Sequence, residues 1–164
     1  MDKDSLHILT RLISSQRTAA LGTLRSGAPE VTMVLYAPSP TFSEFWLHLS
    51  GLAHHTQNIL ADPRVSLMIV EPEDPERAPQ TLARVTILGE ASALVHDAPA
   101  LSTARTQYLA RFPEAEPMFT LGDFSFYRIV LHSARFVAGF GKTFNLTVHD
   151  FNRASSLKSG EGDG

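Results

Sequence analysis

No cysteine occurs among the 164 residues. Disulfides, thiolate metal sites and cysteine nucleophiles are thereby excluded. Long apolar runs are missing as well. No stretch approaches the roughly 20 apolar residues that a membrane-spanning helix needs. The charged start, Met1-Asp2-Lys3-Asp4, has no apolar run of the signal-peptide kind behind it. These absences set the expectation of a soluble, cytoplasmic protein with no membrane partner. Neither sign of charge dominates: 14 Lys and Arg face 17 Asp and Glu, for a net charge of −3. The charges are scattered, whereas a binder of nucleic-acid backbone carries a basic stripe. No nucleic-acid partner is expected.

What is present suits one domain with one core, because 43% of the residues are hydrophobic. Leu6, Leu9 and Ile13 recur at helical spacing and predict a helix over residues 5–15. Residues 18–25 (TAALGTLR) and 31–36 (VTMVLY) are β-rich and flank Ser26-Gly27, which predicts a hairpin. Residues 44–49 (EFWLHL) read as a further strand. After Ser50-Gly51 the pattern turns helical as far as Asp62-Pro63. The nearly continuous apolar run 65–70 (VSLMIV) predicts a buried strand.

The acidic, proline-rich stretch 71–80 reads as a solvated loop. Residues 81–95 form a long strand candidate with Gly89 as a bulge. Asp97 is placed to cap a helix whose Leu101, Arg105, Tyr108, Leu109 and Phe112 share a face, and Pro113 ends it. Residues 124–140 make the last long β segment. The small, polar residues 152–164 are expected to form a disordered tail after a domain spanning 1–151. Short turns join most neighbouring strands, so the predicted class is α+β, mainly antiparallel, with helices outside a barrel.

Three places carry candidate chemistry. In SGLAHHTQN, residues 50–58, a strand ends, a glycine turns the chain and a helix begins. The first turn of a helix leaves N–H groups unpaired and carries partial positive charge, so it receives anions. Ser50 and Thr56 add hydroxyls; His54 and His55 add imidazoles that charge more readily beside a phosphate. Ser50 read as a simple N-cap beside two surface histidines is the alternative. Arg84 lies within a strand, as an exposed charge or as a donor aimed at a ligand. Gly139-Phe140-Gly141-Lys142 reads as a flexible strand end from which Lys142 reaches an anionic ligand. Adjacent helical histidines point about 100° apart, and the remaining histidines are dispersed, so no metal site is expected.

The runs QRTAALGTLRSGAPEVTMVLY, LHLSGLAHHTQNILADPRVSLMI and LARVTILGEA resemble the pyridoxamine 5′-phosphate oxidase-like, FMN-binding split-barrel superfamily. YLARFPEAEPMF, GDFSFYRI and ARFVAGFGKTFNL extend the likeness and are most similar to its haem-utilisation (HugZ-type) branch. The resemblance implies a six-stranded split β-barrel with flanking helices and a homodimer holding FMN between subunits. It places Thr32, Met33 and Val34 along the isoalloxazine and ribityl chain, and Ser50, His54, His55 and Thr56 at the phosphate. It sets Arg84 by the flavin and Lys142 by the cofactor or substrate.

The pattern departs from the vitamin oxidases. Thr32 and Ala37 stand where those carry arginine and lysine, and His54-His55 replaces an Arg-Lys pair. The function implied is therefore an FMN-dependent oxidoreductase acting on a small molecule other than pyridoxamine phosphate. A haem-binding or haem-degrading protein with His149 as iron ligand is one alternative. A non-catalytic flavin- or anion-binding module is another.

Overall fold

The computed structural model describes residues 1–96 and 99–158. Asp97 and the end of the chain after Lys158 lie outside the described residues. Helix α1, Lys3–Ser15, begins two residues before the expected start because Asp2 caps it, accepting hydrogen bonds from the Ser5 amide (2.9 Å) and hydroxyl (3.0 Å). Its Leu6, Leu9, Leu12 and Ile13 face the core.

Strands β1 (Thr18–Arg25) and β2 (Ala28–Leu35) form the predicted hairpin, paired from Thr18–Leu35 to Arg25–Ala28. Ser26 (φ 51°) and Gly27 (φ 80°) both take positive φ, the two-residue turn whose twist matches a hairpin. A two-residue strand, β3 (Ala37–Pro38), precedes β4 (Glu44–Ser50); α2 is His54–Ala61 and β5 is Arg64–Val70.

Strand β6 runs over Arg84–Ala93, shorter than the expected 81–95, because Pro79–Thr81 winds into a 3-10 turn just before it. The pairing of β6 with β7 (Phe124–Gly139) slips between Leu88 and Gly89, so Gly89 does mark a bulge. Between them lie α3 (Pro99–Arg111) and a 3-10 segment, Pro113–Thr120.

Two elements differ from expectation. Gly139 to Lys142 is an ordered hairpin, with Gly139 and Gly141 at positive φ, and it returns as β8 (Lys142–Leu146). Residues 152–158 belong to helix α4 (Val148–Lys158) and not to a tail. Small polar residues looked poor in core contacts, yet Ala154 is fully buried, and the Thr10 hydroxyl of α1 donates to its carbonyl at 2.8 Å.

The strands form one antiparallel sheet in the order β2-β1-β5-β6-β7-β4-β3, with β8 added on β7. Six strands of seven residues or more make the wall, and β3 and β8 are short additions. The sheet curls around the main core, where Leu21, Phe45, Leu47, Leu67, Ile87 and Phe136 are buried. A second core lies between α3 and the outer face of β4 and β7, built on Trp46, Tyr108, Phe112 and Phe126.

Strand β5 is buried on one face only. Val65, Leu67 and Ile69 point inward, but Met68 and Val70 are each 38% exposed. Pairing register aligns Met33, Ala20, Met68 and Thr86 in one row across the outer sheet face, and Val31, Gly22, Ser66 and Leu88 in the next. Val31 is 68% exposed, Met33 69% and Leu88 50%. The apolar run that read as a strand buried on both faces thus contributes to an uncovered apolar surface.

Candidate functional site at the start of helix α2

Helix α2 begins at His54, with Ala53 as an N-cap that offers no side-chain bond. The first backbone N–H that closes back into the chain within the helix is that of Thr56, to Ala53. Donors of the first turn are thereby left for other partners. Around this turn the hairpin brings up Arg25, whose Nη1 lies 3.3 Å from His54 Nδ1, and Thr32, whose hydroxyl lies 3.4 Å from His55 Nδ1. Burial, with the neighbouring His54 adding to it, outweighs Glu30 and holds the His55 pKa below its ordinary value. His55 is therefore a neutral imidazole near pH 7, able to donate from one nitrogen and accept at the other.

The predicted site residues separate into three groups. Thr32, His54 and His55 converge, together with Arg25. Ser50 lies four residues before the helix, so it is not the N-cap. Its hydroxyl donates to Asp123 Oδ2 at 2.6 Å and accepts the Leu52 amide at 3.1 Å. Thr56 is fully buried, and its hydroxyl has no partner among the described residues. Val34 lies in the main core, whereas Met33 lies on the exposed outer face of the sheet.

The third group lies elsewhere. Arg84, the first residue of β6, donates to the carbonyls of Gln80 (3.4 Å) and Leu82 (3.1 Å). Lys142 faces Asp2 at 3.8 Å, beside the start of α1. His149 is exposed on the first turn of α4. Among the described residues, none of the three bonds to the α2 cluster.

Arg25 carried no sequence signal. A residue at the end of a hairpin strand looks like any solvated charge, and only tertiary packing sets it against α2. The same packing supplies acids: Glu30 lies 3.7 Å from Arg25 and accepts from the buried Asn58 amide at 2.5 Å. The cluster fits a phosphate monoester through Arg25, His54 and the first-turn N–H groups. Ser50 is committed to a carboxylate, and Thr56 faces inward. Removing the orphaned hydroxyl is expected to help the fold. Thr56→Val keeps the shape and drops an unpaired buried polar atom, so stability should rise by about 0.5–1 kcal/mol in urea denaturation.

Kinship with known proteins bears on this geometry. The profile of the pyridoxamine 5′-phosphate oxidase family matches residues 8–138. The chain belongs to this family. Within known proteins it is similar to a chloroplastic haem oxygenase, HOZ, of Arabidopsis thaliana, 37% identical over 119 residues that make up 72% of this chain and 34% of that protein. It is also similar to the haem oxygenase HutZ of Vibrio cholerae, 28% identical over 148 residues, 88% of this chain and 82% of that one.

Among solved structures, a haem-binding protein from Mycobacterium smegmatis superposes with a TM-score of 0.80 at 27% identity, covering 93% of this chain and 61% of that one. The chain thus spans about a third of the plant relative and less than two thirds of the mycobacterial one. The family's split barrel accounts for the curled antiparallel sheet and its flanking helices. Among the described residues no helix is long and apolar enough to cross a membrane.

Proposed function

We propose that this family member binds haem as a homodimer and degrades it. The observation that carries the reading is kinship along 88% of the chain with HutZ, joined by the independent match to HOZ, both named haem oxygenases. Haem is then the substrate, and His149, exposed on α4, is its iron ligand. Purified protein titrated with haemin should develop a sharpened, shifted Soret band that saturates at one haem per chain. His149→Ala should lose that shift or move it. An unchanged haemin spectrum with the unaltered protein would remove the reading.

The outer sheet face supports the dimer reading. Val31, Met33, Met68, Val70 and Leu88 form a contiguous apolar surface. A monomer gains by covering a patch of this kind. The occupant is a second copy of the chain, because β5 is patterned as a strand covered on both sides. Leu88→Glu puts a charge on the β6 side of that face and should convert the dimer to a monomer in size-exclusion chromatography with light scattering. A monomer before substitution would contradict the dimer directly.

A second reading rests on the α2 cluster, whose Arg25, His54 and first-turn N–H groups suit the phosphate of FMN. Bound FMN would supply the redox chemistry of its flavin ring, while this chain's part is to hold the phosphate and exclude water. Arg25→Ala with His54→Ala should lower FMN affinity at least tenfold, read by flavin fluorescence. Equal affinity would show that no phosphate sits there. Reduction of a bound flavin by NAD(P)H separates an oxidoreductase from a binding module.

A further inference from the structure

A cavity of about 540 Å³ lies between α3, the 3-10 segment and the outer face of β4 and β7. That size falls in the range of small-molecule sites. It shares no lining residue with the α2 cluster, the exposed sheet face or α4. The rings around it are engaged with one another. His48 and Phe126 stack on one side of Phe119, with centroids at 4.5 and 5.4 Å and 24° between planes in each pair. The Arg105 guanidinium covers the other side at 4.9 Å. Phe119 therefore offers a ligand its edge and no free face. Aliphatic side chains, Leu94 after β6 and Leu101 of α3, add to the apolar lining. On α3 only Ala104 and Tyr108 are buried, and Leu101 is partly open. Val95, Met118 and Leu121 lie within two residues of the lining Leu94 and Phe119, and all three are exposed. One cation stands in this apolar setting. Arg105 pairs with no carboxylate, and no acidic residue lines the cavity, among the described residues. Burial and the nearby Arg105 charge lower the His48 pKa, so His48 adds no second positive charge there.

We infer that this cavity binds an aliphatic monocarboxylate, with its methylene chain along Leu94, Leu101 and Phe124 and its carboxylate on Arg105. A flexible chain gains from burial and dispersion against ring edges and aliphatic side chains, and it needs no open ring face. A flat ring system has no such seat, because both sides of Phe119 are taken. The guanidinium offers a planar two-point fork that matches a carboxylate. Ser102, three residues before Arg105 and so on the same face of α3, adds a hydroxyl donor. The head group follows from charge. A carboxylate brings one negative charge to one arginine, whereas a phosphate monoester carries up to two and would leave charge unbalanced. An uncharged chain would leave Arg105 unused, and a small anion alone would leave the apolar lining empty. Beyond the cavity, Val95, Met118 and Leu121 give a longer chain more apolar surface to cover. The inference goes beyond the haem reading and uses none of its residues.

The probes are hexanoate, octanoate and decanoate, with octan-1-ol as the uncharged counterpart and acetate as the bare head group, each titrated into the full chain by isothermal titration calorimetry. Octanoate should bind saturably at one per chain. Burying a methylene is worth about fourfold in affinity, so each two-carbon step should tighten binding roughly tenfold. Octan-1-ol should bind at least tenfold more weakly than octanoate. Arg105→Gln should weaken octanoate at least tenfold and leave octan-1-ol unchanged, and Arg105→Lys should recover part of the loss. Arg105 is exposed, so both variants should keep the parent's melting temperature. Octan-1-ol binding as tightly as octanoate, or Arg105→Gln binding octanoate as the parent does, overturns the inference. Acetate matching octanoate would mark a bare anion site and overturns it too. Unsaturable uptake, as on an open apolar surface, does the same. The chain-length and octan-1-ol arms use the unaltered protein, so they decide the matter whatever the variants do.

Discussion

Gly89→Ala is expected to cost about 4 kcal/mol or to prevent folding. A Cβ built at Gly89 would stand 2.2 Å from the Val130 carbonyl oxygen, 3.1 Å from its carbon and 3.2 Å from Ile129 Cγ2. The obstacle is backbone of the neighbouring strand, which cannot rotate aside. The close approach arises because β6 bulges there: Leu88 faces Ser133 while Gly89 faces Leu131, so His132 has no partner across the pair. Relief requires β6 and β7 to separate at the most extensively paired place in the sheet. Overpacking of this kind belongs among the few mechanisms that exceed ordinary mutational effects.

Gly22→Ala is the internal control. Its Cβ would meet Ser66 Oγ at 2.3 Å, a side-chain atom that swings away, so the loss should stay near 1 kcal/mol or below. Urea denaturation of both variants reads the contrast. Similar losses would show that the β6–β7 bulge yields more easily than its geometry requires.

The second large effect concerns Arg111, at the end of α3. Its guanidinium donates to the carbonyls of Ser14 (2.8 Å), Ile13 (3.3 Å) and Gln16, closing the C-terminal end of α1. It also lies 5.0 Å over the Tyr36 ring, whose hydroxyl donates to the same Ile13 carbonyl at 2.9 Å. A helix end leaves carbonyls without partners and carries partial negative charge, so a cation held there both bonds and balances it. Burial lowers the Arg111 pKa, yet the group stays charged because an arginine starts so high.

Arg111→Ala leaves the part-buried Ser14 and Gln16 carbonyls without this donor, leaves the Ile13 carbonyl to Tyr36 alone, and uncovers the Tyr36 ring. At about 1–3 kcal/mol per lost charge-assisted bond, with partial rescue by water, the expected loss is about 3 kcal/mol. For a chain of this size that corresponds to roughly 6–12 °C in melting temperature. Arg111→Lys keeps one charge but loses the fork, so it should recover less than half of the loss. A melting temperature within 2 °C of the parent for Arg111→Ala would show that α1 closes without it.

Neither Gly89 nor Arg111 stood out in the sequence for these roles. Gly89 was legible as a break in a strand, because a lone glycine among β-formers usually marks a bulge. How little room it has depends on the carbonyl of a residue about forty positions away. Arg111 sat between Ala110 and Phe112 at the end of a helix, and nothing local pointed to α1. The candidate site divides in the same way. The helix start after Gly51 was readable from residue types, and His54 and His55 do gather there with Thr32. Arg25, Asp123 and Glu30 set the charge balance of that place, and all three come from other elements.

The sequence by itself determined the strand and helix order up to Gly139, the hairpin at Ser26-Gly27, and the membership of the split-barrel family. Periodicity, turn residues and motif order are local properties, and each is written in a few adjacent positions. The helical end of the chain was decided by packing: residues 152–158 coil because Ala154 and Leu157 have a core to meet. Sheet register decided that the apolar residues of β2, β5 and β6 share one open face. The aromatic cavity under α3 likewise exists only where a helix, a 3-10 turn and two strands meet. Surfaces and sites are sums over residues distant in sequence, and the curl of the sheet selects which of them stand together.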